Sequence, residues 1–327
     1  MNALYKRRFL KFIIALVLLA TLLTACNGTA YSEKVREDIN SFSVSFIDVG
    51  EADSTFIHFP DGKNVLIDCG AGEEVNNQKI LTLLKNYNVK KIDLLILTNP
   101  LQSRIGGVTF ILDNFTVEKA LVPYVFGLEN YPLLSLVVDK LTEKNVSVSY
   151  NEMLKGIKSD EYLLSMLIPR SRTFTDSAYY PLIGNPSPTE QQIKNISPVI
   201  YLEYMGVRFL LSGDANKTQE QALISYYQSG YYDLYSRTVA LEDIDFYKCA
   251  DHGDADANSE ELLSILKPKT AVISVGGNNS LGHPSTQTLN RLITANANSK
   301  IVRTDTVGTF TVKVTDGGEI FTFNEIN

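Results

Sequence analysis

The chain has little of what most catalytic sites are built from. It holds three histidines and three cysteines in 327 residues. A centre of several converging imidazoles has only His58, His252 and His283 to draw on, and no paired-cysteine zinc-knuckle pattern is present. No nucleophile-elbow turn and no glycine-rich phosphate loop occurs anywhere. Positive charge is also short, with 30 Lys+Arg against 37 Asp+Glu. That balance opposes nonspecific attraction to nucleic-acid phosphates, which needs a basic surface.

What is present begins with a targeting pattern. Lys6, Arg7, Arg8 and Lys11 precede an apolar run at 12–23. The run is too short and too one-sidedly flanked for a typical spanning helix. Leu23-Thr24-Ala25-Cys26 resembles a bacterial lipobox, in which the cysteine becomes the lipidated first residue. The pattern predicts a signal peptide at 1–25, a polar tether at 26–41, in which Ser32 to Ile39 could also form a short surface helix, and one large domain at 42–327, held by lipid chains at Cys26 on the outer face of a cell membrane. Removing 1–25 leaves 26 Lys+Arg against 37 Asp+Glu, a net charge of −11. Cys69 and Cys249 then remain. Both sit at strand ends and read as small buried hydrophobes; a disulfide stays open, because sequence cannot place the two side by side.

Phe42-Ser43-Val44-Ser45-Phe46 alternates as a strand with one buried face. Two short strands around Pro60-Asp61-Gly62-Lys63 predict a hairpin. Helices are expected over 75–87, from Gly106-Gly107 to about Asn114, and over 133–144. A stretch at 171–194, rich in Ser, Thr, Tyr and Pro, reads as a long loop. The second half repeats the layout: a hairpin over 199–212, a helix over 218–227, a strand over 246–250, helices over 259–266 and 284–297, and strands at 301–303 and 309–314. Hairpins followed by helices, twice, suit two mixed sheets packed face to face with helices outside.

The most informative stretch is Leu97-Thr98-Asn99-Pro100-Leu101-Gln102-Ser103-Arg104-Ile105-Gly106-Gly107. It resembles the Thr-His-Pro-His-x-Asp-His-Ile-Gly-Gly motif of metallo-β-lactamase-fold hydrolases of the ComEC competence-protein type. Phe46-Ile47-Asp48-Val49-Gly50-Glu51-Ala52-Asp53-Ser54 resembles that family's opening Asp-Val-Gly-Gln-Gly-Asp, and Leu66-Ile67-Asp68-Cys69-Gly70 its Leu-Ile-Asp-x-Gly. Asn195, Ser197 and Leu211-Ser212-Gly213-Asp214 are similar to its Asn-x-Ser and Leu-Thr-Gly-Asp. Asp251-His252-Gly253 stands where it has His-His-Gly, and Val275-Gly276 to Gly282-His283-Pro284 resembles its closing run. The resemblance implies a four-layer αββα sandwich.

It also implies a metal centre that this chain does not spell out. Asn99, Leu101, Ser103 and Arg104 occupy the positions of the three histidines and the aspartate. The groups left for a metal are Asp68, Asp214, His252 and His283. The expected reading is a degenerate hydrolase homologue that acts by binding a ligand or envelope protein, without a cofactor. The other reading is a divergent phosphodiesterase- or nuclease-type hydrolase with one Zn or Mn ion on Asp214 and His252. Arg104 offers a physical substitute for the metal, since a guanidinium can pair with the otherwise uncompensated acids Asp68 and Asp214. The run Asp251–Asp256 reads as an exposed acidic loop with a glycine turn.

Overall fold

The computed structural model describes residues 33–36, 38–169, 185, 187–230, 232 and 239–325. The first half builds β1 (Phe42–Phe46), β2 (Thr55–His58), β3 (Asn64–Ile67), β4 (Lys91–Ile92), β5 (Leu94–Ile96), β6 (Thr116–Val117), β7 (Lys119–Val122) and β8 (Ser147–Tyr150). The second builds β9 (Gly156–Lys158), β10 (Tyr162–Ile168), β11 (Val199–Tyr204), β12 (Val207–Leu211), β13 (Phe246–Lys248), β14 (Thr270–Ile273) and β15 (Lys300–Arg303). The chain then returns to the first sheet as β16 (Thr309–Val314) and β17 (Ile320–Glu325). The sheet orders are β17-β16-β1-β2-β3-β5-β7-β8 and β15-β14-β13-β12-β11-β10-β9.

Three apolar layers show how the sheets stack. Phe42, Val44, Phe46, Val65, Leu202, Phe209 and Phe246 share one cluster between the sheets. Leu66, Ile80, Leu84, Leu95 and Leu134 lie between the first sheet and its helices, among them Glu74–Asn86 and Pro132–Glu143. Leu210, Leu223, Tyr247, Leu263 and Leu292 lie between the second sheet and helices Lys217–Gln228, Glu260–Leu266 and Thr286–Ala295. This is the expected αββα sandwich. Strands buried on both sides explain the apolar runs of β5, β10 and β14.

Strand direction decides where the site lies. β1, β3, β5 and β7 run parallel to one another, through antiparallel β2 and direct parallel pairing. β12, β13 and β14 are parallel as well. The loops after β1, β3, β5, β12, β13 and β14, together with Asn195–Ser197 at the entry to antiparallel β11, carry every motif singled out above, and they gather at one edge of the sandwich.

Four expectations change. Residues 33–36 are helical and Val35 is 7% exposed, so part of the expected tether is docked on the domain. Ser43 and Ser45, expected on an open face, are buried, with Ser45 Oγ bonded to Thr311 Oγ1 at 2.8 Å. The middle of the chain holds β9 and β10, because a strand facing helices on one side and the other sheet on the other need not alternate. The stretch at 171–194 read as a loop ends in helix Glu190–Lys194, started by a capping box in which Thr189 and Gln192 satisfy each other's backbone N–H; 171–184 and 186 of that expectation lie outside the described residues. Cys69 and Cys249 are free and buried.

Candidate functional site

At the loop-bearing edge, β5 runs into Thr98 and the short helix Gln102–Ile105. Asp68, at the end of β3, accepts the Thr98 N–H at 2.8 Å and the Thr98 hydroxyl at 2.7 Å. This fixes the turn that aims Arg104 inward. The Arg104 side chain is fully buried. Its Nη2 faces three acceptors at once: Asp214 Oδ1, Asp53 Oδ2 at 3.0 Å and His252 Nε2 at 3.1 Å. Its Nε lies 3.9 Å from Asp68 Oδ2.

His252 is aimed by a left-handed backbone, φ 53°, as are Asp68 and Asp251, at 59° and 49°. Such conformations are costly for non-glycine residues and gather at functional sites. The His252 Nδ1 lies 2.7 Å from the Ser274 carbonyl oxygen. It can only donate there, which leaves the Nε2 lone pair for the guanidinium. Burial and the adjacent Arg104 charge lower the His252 pKa, favouring this neutral imidazole.

The carboxylates divide by environment. Burial pushes Asp214 up, but Arg104 and the neighbouring charges outweigh it and hold Asp214 well below the usual carboxylate range. Asp53 is likewise lowered, by Arg104 and by Lys248, whose Nζ lies 2.8 Å from Asp53 Oδ2. Asp68, farther from the guanidinium, is pushed up by burial to about 7. Asp251 is raised by burial and by Asp214 to about 6, against the pull of Lys194, which lies 2.9 Å away.

The other motif positions also have new tasks. Asn99 donates from Nδ2 to Asp214 Oδ2 at 2.8 Å and to Ser197 Oγ at 3.0 Å. Leu101 only supplies backbone, its N–H reaching Asn99 Oδ1. The Ser103 carbonyl accepts from the Asp53 N–H at 3.1 Å. Asp68, Asp214, His252 and Arg104 therefore meet, whereas His283 adjoins them only through the His252 ring and pairs with other acids. It bridges Glu51 at 2.7 Å and Asp254 at 3.0 Å, and its pKa is raised, first by the bond to Glu51. Its ring stacks on that of His252 with centroids 5.9 Å apart. The acidic run is not the exposed loop expected: Asp251, His252 and Gly253 are buried and Asp254 is half-buried. Sequence reading missed Asp53 and Lys248 as members of the centre. Asp53 did carry a signal, as the last residue of the run that resembles Asp-Val-Gly-Gln-Gly-Asp, whereas Lys248 is a single cation in an otherwise apolar stretch.

No protein-family model matches the chain. It is 26% identical over 285 residues to ComE operon protein 3 of Bacillus subtilis (strain 168), covering 81% of this chain and 32% of that protein. The chain thus spans about a third of that relative's length. The chain resembles ComEC-type proteins and has the metallo-β-lactamase fold.

Two solved structures align over most of the chain. The metallo hydrolase Igni18 from the archaeon Ignicoccus hospitalis is 14% identical, covering 87% of this chain and 100% of its own, with a TM-score of 0.45. A CmlA β-hydroxylase mutant is 13% identical, covering 84% and 54%, with a TM-score of 0.49.

A zinc-type metal site needs three or four ligand side chains free to reach one ion. The residues here do not fit one. Asp53, Asp214 and His252, the groups that could ligate an ion, are all taken up by the Arg104 guanidinium. Among the described residues, no three His, Cys, Asp or Glu side chains are grouped to hold a metal ion. A fixed cation already lies among the acids and would repel a second.

Proposed function

We propose that this is a membrane-anchored, ComEC-like protein in which Arg104 has replaced the metal centre, and that it acts by binding rather than by hydrolysis. The observation that carries this reading is the convergence of Asp53, Asp214 and His252 on one Arg104 nitrogen. Metal-dependent hydrolysis needs a bound water made nucleophilic by the ion, and Arg104 cannot be deprotonated to serve as its base. The lipobox-like Leu23–Cys26 supports an anchor at Cys26 on the extracytoplasmic face. The partner is then an envelope protein or another ligand at that surface. The net charge of −11 disfavours nucleic acid.

Metal content tests the reading. The protein, purified without chelator and offered zinc and manganese, is expected to retain neither above background. Stoichiometric metal that disappears in Asp214→Ala would overturn it in favour of a single-metal hydrolase on Asp214 and His252.

A further inference from the structure

Beside the Arg104 centre, the two sheets leave a small cavity of about 10 Å³ between their strand ends. Ile67 of β3, Ile200 of β11 and Leu211 of β12 form its apolar walls. Asp53, Thr55, Asp68, Thr98 and Lys248 bring polar groups to it, and each of the five is buried.

Two of these polar groups are only partly used by the protein. Asp53 Oδ2 takes both cations, Arg104 Nη2 at 3.0 Å and Lys248 Nζ at 2.8 Å, while Asp53 Oδ1 has no partner among the described residues. The Lys248 ammonium has three N–H groups to give. Its one acceptor among the described residues is that same Asp53 Oδ2. A buried carboxylate oxygen or ammonium N–H left unmatched is costly, and folded proteins satisfy nearly all such groups, with ordered water where protein atoms do not reach. The aliphatic walls offer neither group a partner.

We propose that this cavity is a binding site for a single water molecule, which accepts an N–H from Lys248 and donates to Asp53 Oδ1. Size supports it, because about 10 Å³ is close to the least room in which one water can sit. Polarity supports it too. A buried water makes two to four hydrogen bonds, and the Thr55 and Thr98 hydroxyls line the same cavity as Asp53 and Lys248. An ion is a poorer occupant. Arg104 and Lys248 already balance Asp53 and Asp214, so a chloride or a further cation would enter without a counter-charge. Asp68 does not call for one, since it already accepts both Thr98 donors and burial pushes it toward its neutral form. A hard divalent cation takes six or more oxygens, whereas the side-chain oxygens here come from two carboxylates and two hydroxyls. The water thus completes a bridge between the sheets, from the loop after β1 to the end of β13, and does so whatever the protein binds.

Two measurements on the full chain test this. A high-resolution crystal structure should show one peak in the cavity, within about 3.2 Å of both Asp53 Oδ1 and Lys248 Nζ. Bromide soaking should add no anomalous signal there. No peak would overturn the site, and a bromide signal would overturn water as its occupant. In solution, magnetic relaxation dispersion of the water signal counts long-lived buried waters. Thr55→Ile adds bulk where Thr55 lines the cavity and should lower that count by one. Thr55→Val keeps the parent's shape and should leave it unchanged. Equal counts in the parent and Thr55→Ile would overturn the proposal. Zinc or manganese anomalous signal in the cavity would overturn both this site and the metal-free reading of the centre, whereas an empty cavity without metal overturns the water site alone.

Discussion

At the scale of the residue, the protein turns on one substitution of chemical kind. A guanidinium is a permanent, planar cation whose N–H groups need acceptors near 3 Å. Asp53, Asp214 and His252 provide them, and Asp68 lies just beyond. Taking Arg104 away would strip buried Asp214 of its counter-charge, while Asp53 keeps Lys248, a loss of roughly 3–5 kcal/mol. Arg104→Met is therefore expected to lower unfolding stability by about that much in denaturant melts. Asp214→Asn placed on top of Arg104→Met should recover part of the loss, since the stranded charge is then gone. If the two substitutions simply add, to within about 0.5 kcal/mol, the pair is not coupled and Arg104 is not the centre's counter-ion.

At the scale of the element, the motif frame is retained for packing reasons that do not involve metal. The helix Gln102–Ile105 lies back on the loop after β3. A Cβ on Gly106 would come 2.1 Å from the Ala71 carbonyl oxygen, and one on Gly107 would come 2.2 Å from that of Cys69. Both obstacles are backbone, so nothing cheap can move. Gly106→Ala should destabilise by about 3 kcal/mol or more. Gly277→Ala, whose nearest neighbour would be 4.0 Å away, should be close to neutral. Matching melting temperatures for the two would refute this account of the frame. The missed elements have a local explanation. Helix Glu190–Lys194 is only five residues long and is announced by a single capping pair, a signal easily lost in a polar stretch.

At the scale of the whole molecule, the buried centre should shape the pH dependence of stability. Native Asp68 keeps its proton up to about 7, because burial disfavours its charge, whereas an unfolded aspartate releases it near 3.9. Between these values the native state binds more protons than the unfolded chain, so this group's contribution to stability falls as pH rises through that window. The expected total is up to about 4 kcal/mol. Asp68→Asn removes it. The stability of the parent relative to Asp68→Asn should therefore decline from about pH 4 to 7 and level off above. A constant difference across that range would show that Asp68 is ionised in the native protein throughout.

The sequence by itself determined the architecture. Alternation in β1, the turn at Pro60–Lys63 and the amphipathic stretches at 75–87 and 133–144 are local patterns that suffice to place strands and helices. The ordered motif fragments then specify how those pieces assemble. Its missing histidines also announced that the usual metal set is absent. Only the tertiary structure decided what fills the gap. Asp53, Arg104, Asp214 and the pair Lys248 and His252 lie on four separate segments, and their mutual charge compensation exists only once strand ends are brought to one edge. The docking of 33–36 and Asp38 on Lys313 belongs to the same class. A polar stretch and a lysine some 275 residues later carry no joint signal until β16 pairs with β1 and buries the ammonium beside the Arg36 and Asp38 carbonyls.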